Sequence, residues 1–292
     1  MSCQSNFILL STLLLAMNAP SAMSQPAQQA VSQSGPMILF APPVGGVVRS
    51  HPARGTNGWD AKLRAVMISG DYAKAESILL ARLNAMKSQP KLDSKQVVKI
   101  LDQLTEVEIV LNRMPKAENY ARRVLKIVQN QQSVSPINEI SQTHRLAEIQ
   151  DAAEMRPRAA TTYQSELQLT NAVYGPNDAA DILAVHDLAR NFEAQGKYDE
   201  SIELYSRELA LWAEIYGPQH MSLSSSYIDL GRTHAKAHQY EQALKSYSQA
   251  LTLLQQDCDA NASEIESVIR PMSEIKSTIA NALSSQRKRS SL

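Results

Sequence analysis

Apolar residues recur at spacings of three and four along residues 174–216, in two runs that a short polar break separates. The first run contains Ile182, Val185, Leu188, Ala189 and Phe192. The second run contains Tyr198, Ile202, Tyr205, Leu209 and Trp212. Such spacings place the side chains of each run on one face of an α-helix. Because Gln195-Gly196-Lys197 lies between the runs, the pattern predicts two helices joined by a tight turn.

The pattern repeats with a period of 42 residues, since Tyr174-Gly175-Pro176 returns as Tyr216-Gly217-Pro218. Steps of 42 from Ser201 reach only alanine, at Ala75, Ala117, Ala159 and Ala243. A second series, which lies twelve positions before the first, contains Leu63, Thr105, Ala147, Ala189 and Gly231. A third, four positions after the alanines, holds Leu79, Ala121, Tyr163, Tyr205 and Tyr247. Small residues in the first two series let paired helices approach closely, and the larger residues of the third fill the space beside them.

The fifth unit resembles the tetratricopeptide repeat in two of its segments. They are Leu230-Gly231-x2-His234 and Tyr240-x2-Ala243-x3-Tyr247-x2-Ala250. The 42-residue period, with Tyr-Gly-Pro between units and Gln-Gly-Lys-Tyr within one, is similar to the kinesin light chain type. The resemblance covers residues 58–257 and is most complete in the fourth and fifth units. It implies an all-α fold, a right-handed α-solenoid of about five helix hairpins plus a C-terminal capping helix.

The expected units span residues 58–92, 93–134, 135–176, 177–218 and 219–257. Asp93 or Ser94 is a natural N-cap for the second unit. Residues 258–285 contain an amphipathic stretch that we expect to cap the last apolar face of the solenoid. Pro271 is expected to kink or break this helix. A basic tail follows at residues 286–292.

The N-terminal residues 1–24 are typical of a secretory signal peptide, with an apolar run at residues 7–16 and a cleavage site near Ser24. They predict a secreted or periplasmic protein, and an uncleaved anchor is the alternative. The run is short for a bilayer crossing, so no stable membrane span is expected after cleavage. Residues 25–57 are rich in Pro, Gly, Ser and Gln and are expected to form a flexible linker. Cys258 is then the one cysteine left, which excludes an intramolecular disulfide.

Charge and motifs argue against two classes of function. Lys plus Arg and Asp plus Glu number 29 each, whereas a nucleic-acid-binding protein usually carries a basic excess. The chain has no nucleophile-elbow, zinc-helix, phosphate-loop or dinucleotide-binding motif. His234 and His238 have the i, i+4 spacing of a metal pair, but His234 stands at a core position of the repeat, which favours a packed core histidine. We therefore expect no enzymatic activity, no cofactor and no bound metal.

The resemblance implies that the first helix of each unit lines a concave groove, and it assigns charged residues to that groove. They are His144, Glu148 and Asp151 in the third unit, His186, Asp187, Arg190 and Glu193 in the fourth, and Asp229, Arg232 and Lys236 in the fifth. Arg145 in the third unit and Lys99, Asp102 and Glu106 in the second take equivalent places. In the kinesin light chain type, asparagines that hold peptide backbone often stand where this chain has His186 and Asp187. Like groups recur at the 42-residue step, and such rows suit an extended peptide of mixed charge.

The sequence therefore predicts a scaffold that binds a protein or an extended peptide in the groove, with either a monomer or an oligomer allowed. Reversing the charges of Arg190 and Arg232 is expected to weaken binding without unfolding the protein. The main alternative is a structural subunit of a cell-envelope or secretion complex, assembled through exposed Leu211, Trp212 and Tyr216. A metal- or cofactor-dependent enzyme is a third hypothesis.

Overall fold

The described part of the chain is a row of α-helices. The computed structural model describes residues 61–87, 93–131, 135–257 and 261–290, and within these ranges it contains eleven α-helices and no strand. The helices are α1 (Ala61–Ile68), α2 (Tyr72–Lys87), α3 (Ser94–Val110), α4 (Met114–Gln129), α5 (Pro136–Ala152), α6 (Arg156–Tyr174), α7 (Asp181–Ala194), α8 (Tyr198–Tyr216), α9 (Leu223–Lys236), α10 (Tyr240–Leu254) and α11 (Ala262–Ser290). The expected signal peptide, linker and Cys258 lie outside the described residues. None of the helices in the described ranges combines the length and the apolar character that a membrane crossing requires.

Each helix packs against the next one in sequence, so the eleven helices form a solenoid. The pairs α1–α2, α3–α4, α5–α6, α7–α8 and α9–α10 are the hairpins, and the second helix of each hairpin also contacts the first helix of the next unit. A single hairpin cannot bury its apolar face alone, and the next hairpin in the stack covers that face. The predicted all-α solenoid is confirmed.

The small residues of the two 42-residue series lie where the paired helices meet. Ala75, Ala117, Ala159, Ser201 and Ala243 are all fully buried. At Gly231 the two helices lie so close that an added Cβ would be 2.9 Å from the ring of Tyr247. Glycine at this position lets α9 lie directly on α10. The sequence argument for close helix contact therefore holds in atomic detail.

The turn between the two helices of a hairpin contains a position whose backbone is left-handed in every unit. These residues, again 42 apart, are Gly70, Asn112, Glu154, Gly196 and His238, with φ between 56° and 76°. Glycine adopts this conformation without a Cβ clash, whereas other residues do so at a cost. The tight turn predicted around Gly196 thus recurs in every unit, and in three of the units a residue other than glycine adopts the left-handed conformation.

The N-terminus of α3 is capped by Asp93, whose carboxylate accepts the backbone N–H groups of Lys95 and Gln96 at 3.0 and 3.4 Å. This contact satisfies donors that have no partner inside the helix. Pro115 lies in the first turn of α4, where a missing N–H costs little.

The final helix α11 packs on α10 and continues through Pro271. Of the expected kink or break, the break therefore does not occur. The proline removes one backbone hydrogen bond and costs about 3 kcal/mol. Val268, Met272 and Ile275 are buried around it in one cluster with residues of α10. Burial of each such side chain contributes about 1.5–3 kcal/mol, which outweighs the loss. The helix also extends to Ser290, so its backbone includes most of the expected basic tail.

Candidate partner-binding groove

The predicted groove residues lie on α3, α5, α7 and α9, and side-chain bonds join them from one unit to the next. We call this surface the first-helix face. Arg145 on α5 donates to Asp102 on α3 at 3.0 Å. Asn191 on α7 donates to Asp151 on α5 at 2.6 Å. These bonds span about 40 residues of sequence, so the first helices of successive units lie side by side.

Two of the predicted residues, His144 and His186, form equivalent ion pairs with buried glutamates of the second helices. The Nδ1 atom of His144 lies 3.1 Å from Glu166, and the Nδ1 atom of His186 lies 3.1 Å from Glu208. The two histidines are 42 residues apart and so are the two glutamates. The pair therefore belongs to the repeat and links α5 to α6 and α7 to α8 in the same way.

Both histidines have a pKa above the usual value, because each ring is hydrogen-bonded to a carboxylate. Burial by itself lowers the pKa of His144, but hydrogen bonds to Glu148 and Glu166 outweigh it and raise that pKa to about 10. Burial opposes the charge of His186 as well, and its hydrogen bond to Glu208 raises the pKa above the usual value. Each carboxylate thus favours the imidazolium form of its histidine, in which Nδ1 donates to the carboxylate.

The fourth unit surrounds its glutamate more completely than the third. Glu208 also accepts the hydroxyl of Ser226 at 2.7 Å and the indole N–H of Trp212 at 3.3 Å. The equivalent positions of the third unit are Ala184 and Thr170. Thr170 donates instead to the backbone of its own helix at 2.9 Å. Three side chains of three helices therefore converge on Glu208.

A second ionic cluster joins the fourth and fifth units through Glu193. Arg232 donates to it from Nε and Nη2 at 3.0 and 3.1 Å, and Lys236 donates at 2.7 Å. Burial raises the pKa of Glu193, but the two cations outweigh burial and leave that pKa below its usual value. Arg232 also contacts Asp229 at 2.7 Å. A charge reversal at Arg232 is therefore expected to disturb the junction between the fourth and fifth units.

The second unit contributes two carboxylates to the same face. Asp102 and Glu106 face Arg145 at 3.0 and 3.7 Å. Burial raises the pKa of Asp102 and raises that of Glu106 to about 7, with Arg145 opposing both shifts. Lys99 is exposed nearby on α3. Arg145 thus connects the second and third units as Arg232 connects the fourth and fifth.

The predicted groove residues differ widely in exposure. Glu148 and Arg190 have side chains that are 59% and 50% exposed. His186, Asp187 and Glu193 are buried. Most charges of the first-helix face hold the units together, and a smaller number reach solvent.

The proposed histidine pair of the fifth unit does not form. Helix α9 ends at Lys236, and His238 is the left-handed turn residue, so His234 and His238 do not share a helix face. The Nδ1 atom of His234 lies 2.7 Å from Gln239, and that of His238 lies 3.1 Å from the hydroxyl of Tyr240. His234 is half-buried, so the expected packed core histidine is only partly correct.

The described residues contain no cluster of three His, Cys, Asp or Glu side chains arranged to hold a metal ion. The surface of the described residues has two depressions, of about 380 and 570 Å³. The first is lined by Ser94, Arg123, Lys126, Ile127, Asn130 and Gln131. The second is lined by Arg122, Leu146, Gln150, Pro157, Arg158, Thr161 and Thr162. Neither contains a predicted groove residue.

The residues expected to be exposed on α8 are exposed only in part. Leu211 is buried, which contradicts the expectation, because it faces inward into the packed helices. Trp212 is half-buried and bonded to Glu208, whereas Tyr216 is 50% exposed.

Sequence reasoning did not identify Glu166 and Glu208, because the search for groove residues was confined to the first helices. Their 42-residue separation, the same as that of their histidine partners, was a usable signal. A carboxylate repeated at an otherwise apolar helix face is a candidate for a buried pair.

Comparison with known proteins finds a family match for part of the chain. Residues 181–256, the fourth and fifth units, match the tetratricopeptide repeat family model. No curated protein matches the chain.

Solved structures share the fold at low sequence identity. A structure described as "Podosopora anserina putative kinesin light chain nearly identical TPR-like repeats" is 18% identical with a TM-score of 0.56, covering 70% of this chain and 96% of that one. The apo form of RapI is 13% identical with a TM-score of 0.55, covering 78% and 82%. BtubC (BKLC) from P. vanneervenii is 15% identical with a TM-score of 0.51, covering 76% and 93%. The match and the fold together identify residues 181–256 as tetratricopeptide repeats within an all-α solenoid.

Proposed function

We propose that this protein is a non-catalytic scaffold that binds a protein or an extended peptide along the first-helix face, which lines the concave groove of the solenoid. The observation that carries the proposal is the continuous row of charged side chains on α3, α5, α7 and α9, joined from unit to unit. The tetratricopeptide repeats of residues 181–256 support it, because solenoids of this kind present extended binding surfaces.

The rigidity of this face favours binding. Its buried charges are paired within the protein, so a partner does not have to supply their counter-charges. A surface that is already ordered loses less conformational entropy when a ligand binds. The half-exposed side chain of Arg190 is then accessible to a partner.

Photo-cross-linking in the native cell tests the proposal. A photo-reactive residue at position 190, on the first-helix face, is expected to capture a partner. The matched control is position 203 on α8, where Glu203 is exposed on the outer side of the same unit. Capture from position 203 and not from position 190 would contradict the proposal.

The alternative of a structural assembly subunit is supported by an exposed apolar rim at the ends of α6 and α8. Val173, Tyr174, Ile215 and Tyr216 are 39–50% exposed and recur at the 42-residue step. Light scattering of the purified chain tests this alternative. A stable oligomer that Ile215→Ser with Tyr216→Ser dissociates would support assembly through the rim, and a monomer would exclude it.

We also propose that the chain is exported, since residues 1–24 have the pattern of a cleaved signal peptide. Mass spectrometry of the protein isolated from its native cell gives the mature N-terminus directly. A terminus near residue 25 is expected, and an intact Met1 in a membrane fraction would favour the uncleaved anchor.

A further inference from the structure

The second helices of the second and fourth units carry opposite charge. Helix α4 contains four basic residues and one acidic residue, whereas α8 contains five acidic residues and one basic residue. The acidic residue of α4, Glu118, is buried. The basic residue of α8, Arg207, donates to the buried carboxylate of Asp181 at 2.9 Å. The surface that α4 presents to solvent is therefore basic, and that of α8 is acidic.

Several of these charges form no ion pair among the described residues. Lys126 is exposed on α4, and Arg123 is half-buried there, with its guanidinium 5.8 Å from the centre of the Tyr120 ring. The α8 carboxylates that form no ion pair are all exposed, namely Asp199, Glu200, Glu203 and Glu214. Lys116 and Arg122 of α4, by contrast, are already paired with glutamates. Each helix thus keeps accessible charges of one sign.

Helix α6 lies between α4 and α8 and has an uncharged exposed side. Arg122 of α4 and Thr161 of α6 line the same depression, and Leu204 of α8 packs in one cluster with Ala159 of α6. The carboxylate of α6, Glu166, is buried, and its two arginines are confined to the first turn. Along its middle α6 exposes Thr161, Gln164, Ser165 and Gln168. The three second helices therefore form a basic, neutral and acidic row.

A row of this kind is complementary to a second copy of itself. In a closed dimer with two-fold symmetry, both copies use the same surface. A two-fold axis parallel to α6 sets α6 against its own copy and sets α4 of each chain opposite α8 of the other. Because α4 and α8 are each one 42-residue unit away from α6, both contacts form together. A helix on the axis meets its own charges, so the uncharged side of α6 suits that position.

We propose that two copies of this chain associate through the exposed sides of α4, α6 and α8, which we call the second-helix face, with the basic α4 of each copy against the acidic α8 of the other. The contact uses no residue of the first-helix face, so the inference does not depend on the proposed function. Exposed ion pairs are weak and are screened by salt. The dimer is therefore expected to dissociate as the ionic strength rises.

Charge reversal on one helix at a time tests the inference by sedimentation velocity of the purified chain, in a concentration series up to about 0.1 mM. The wild type is expected to dimerise at an ionic strength of about 0.02 M and to be a monomer at about 0.5 M. Arg123→Glu with Lys126→Glu makes the exposed charges of α4 acidic, like those of α8. Glu200→Lys with Glu203→Lys and Glu214→Lys makes those of α8 basic, like those of α4. Because like charges then face each other, each variant should self-associate at least about tenfold more weakly.

The two reversed chains should bind each other at low ionic strength. In their mixture the acidic α4 and α8 of one chain face the basic α8 and α4 of the other, so both contacts are complementary again. The matched control is Glu264→Lys with Glu266→Lys, which reverses two exposed charges on α11, outside the second-helix face. This control should dimerise like the wild type.

A wild-type chain that stays monomeric at low ionic strength overturns the inference, and so does a dimer that high ionic strength leaves intact. Two folded reversed chains that do not bind each other would contradict the reciprocal contact. A dimer that survives both reversals but is dissociated by Ile215→Ser with Tyr216→Ser would overturn it in favour of the apolar rim. None of these results bears on cross-linking at position 190, which tests the first-helix face separately.

Folding of the variants is checked by their far-UV spectra and thermal midpoints. Each replaced side chain is exposed, apart from that of Arg123, which is half-buried. If a reversed chain does not fold, the corresponding glutamine variant replaces it, such as Arg123→Gln with Lys126→Gln. Removal of the charge should still weaken self-association at low ionic strength, and unchanged self-association would overturn the inference.

Discussion

Removing the carboxylate of Glu208 is expected to destabilise the fourth unit strongly. The side chain is 5% exposed and pairs with the imidazolium of His186 at 3.1 Å. It also accepts from Ser226 at 2.7 Å and from Trp212 at 3.3 Å. Glu208→Ala leaves a buried cation and a buried hydroxyl without their acceptor.

The expected loss follows from the burial of the pair. Removal of one partner of a buried ion pair costs about 3–5 kcal/mol, because the other charge is left uncompensated. His186 limits the cost by losing its proton, so a loss of about 3 kcal/mol is expected at pH 7.

The loss should grow as the pH falls from 7 to 5. In the wild type the pKa of His186 is raised above 6.5, so its contribution to stability is present below that pH and is lost as the pH rises through the folded-state pKa. In the variant the buried imidazole resists protonation, while the unfolded chain still takes up the proton. The gap in free energy of unfolding between wild type and variant therefore widens toward acid.

Urea unfolding followed by circular dichroism at 222 nm measures the effect. Glu203→Ala, on the exposed side of the same helix, is the control and should change stability by less than about 0.5 kcal/mol. Glu166→Ala should lie between the two, because Glu166 has the histidine partner but Thr170 and Ala184 replace the two other donors. Equal losses for Glu208→Ala and Glu203→Ala, or a gap that does not change with pH, would refute this reasoning.

Three further predictions concern pH, turns and packing. The pKa of His144 is raised from 6.5 to about 10, so the thermal midpoint of the wild type should exceed that of His144→Gln most below pH 6.5, and the difference should shrink toward pH 10. Glu154→Gly should stabilise the third unit by about 1 kcal/mol, because the backbone of Glu154 is left-handed, at φ 59°. Ala153→Gly should destabilise the unit, because φ at Ala153 is −81° and glycine gains nothing there. Urea midpoints of the two variants measure the difference. Gly231→Ala should lower the free energy of unfolding by about 1–2 kcal/mol, since the new Cβ would lie 2.9 Å from the Tyr247 ring. Adding Tyr247→Leu should recover most of this loss. An unchanged urea midpoint for Gly231→Ala would contradict the prediction.

Much of the fold can be predicted from the sequence, because the apolar residues of a packed helix recur at spacings of three and four. The two helices expected on either side of Gln195-Gly196-Lys197 are α7, which ends at Ala194, and α8, which begins at Tyr198. The cap at Asp93 and the early Pro115 also follow from local rules. The break expected at Pro271 does not occur, because packing of α11 on α10 outweighs the local preference. Leu211, expected to be exposed, is buried for the same kind of reason.

The charged site was predictable only as a set of candidates. The 42-residue period identified the equivalent positions that include His144 and Arg190, because a period can be read directly from the sequence. Which of these side chains is buried, paired or exposed depends on what a neighbouring unit places within about 3 Å. Arg232 reaches Glu193, whereas Arg190 finds Asp151 already occupied, and only the stacking of units decides between these outcomes. Sequence alone thus determined the repeat and its helices, because both depend on residues close together in the chain. The tertiary structure decided the chemistry of the face, because electrostatic pairing is set by distances between residues far apart in sequence.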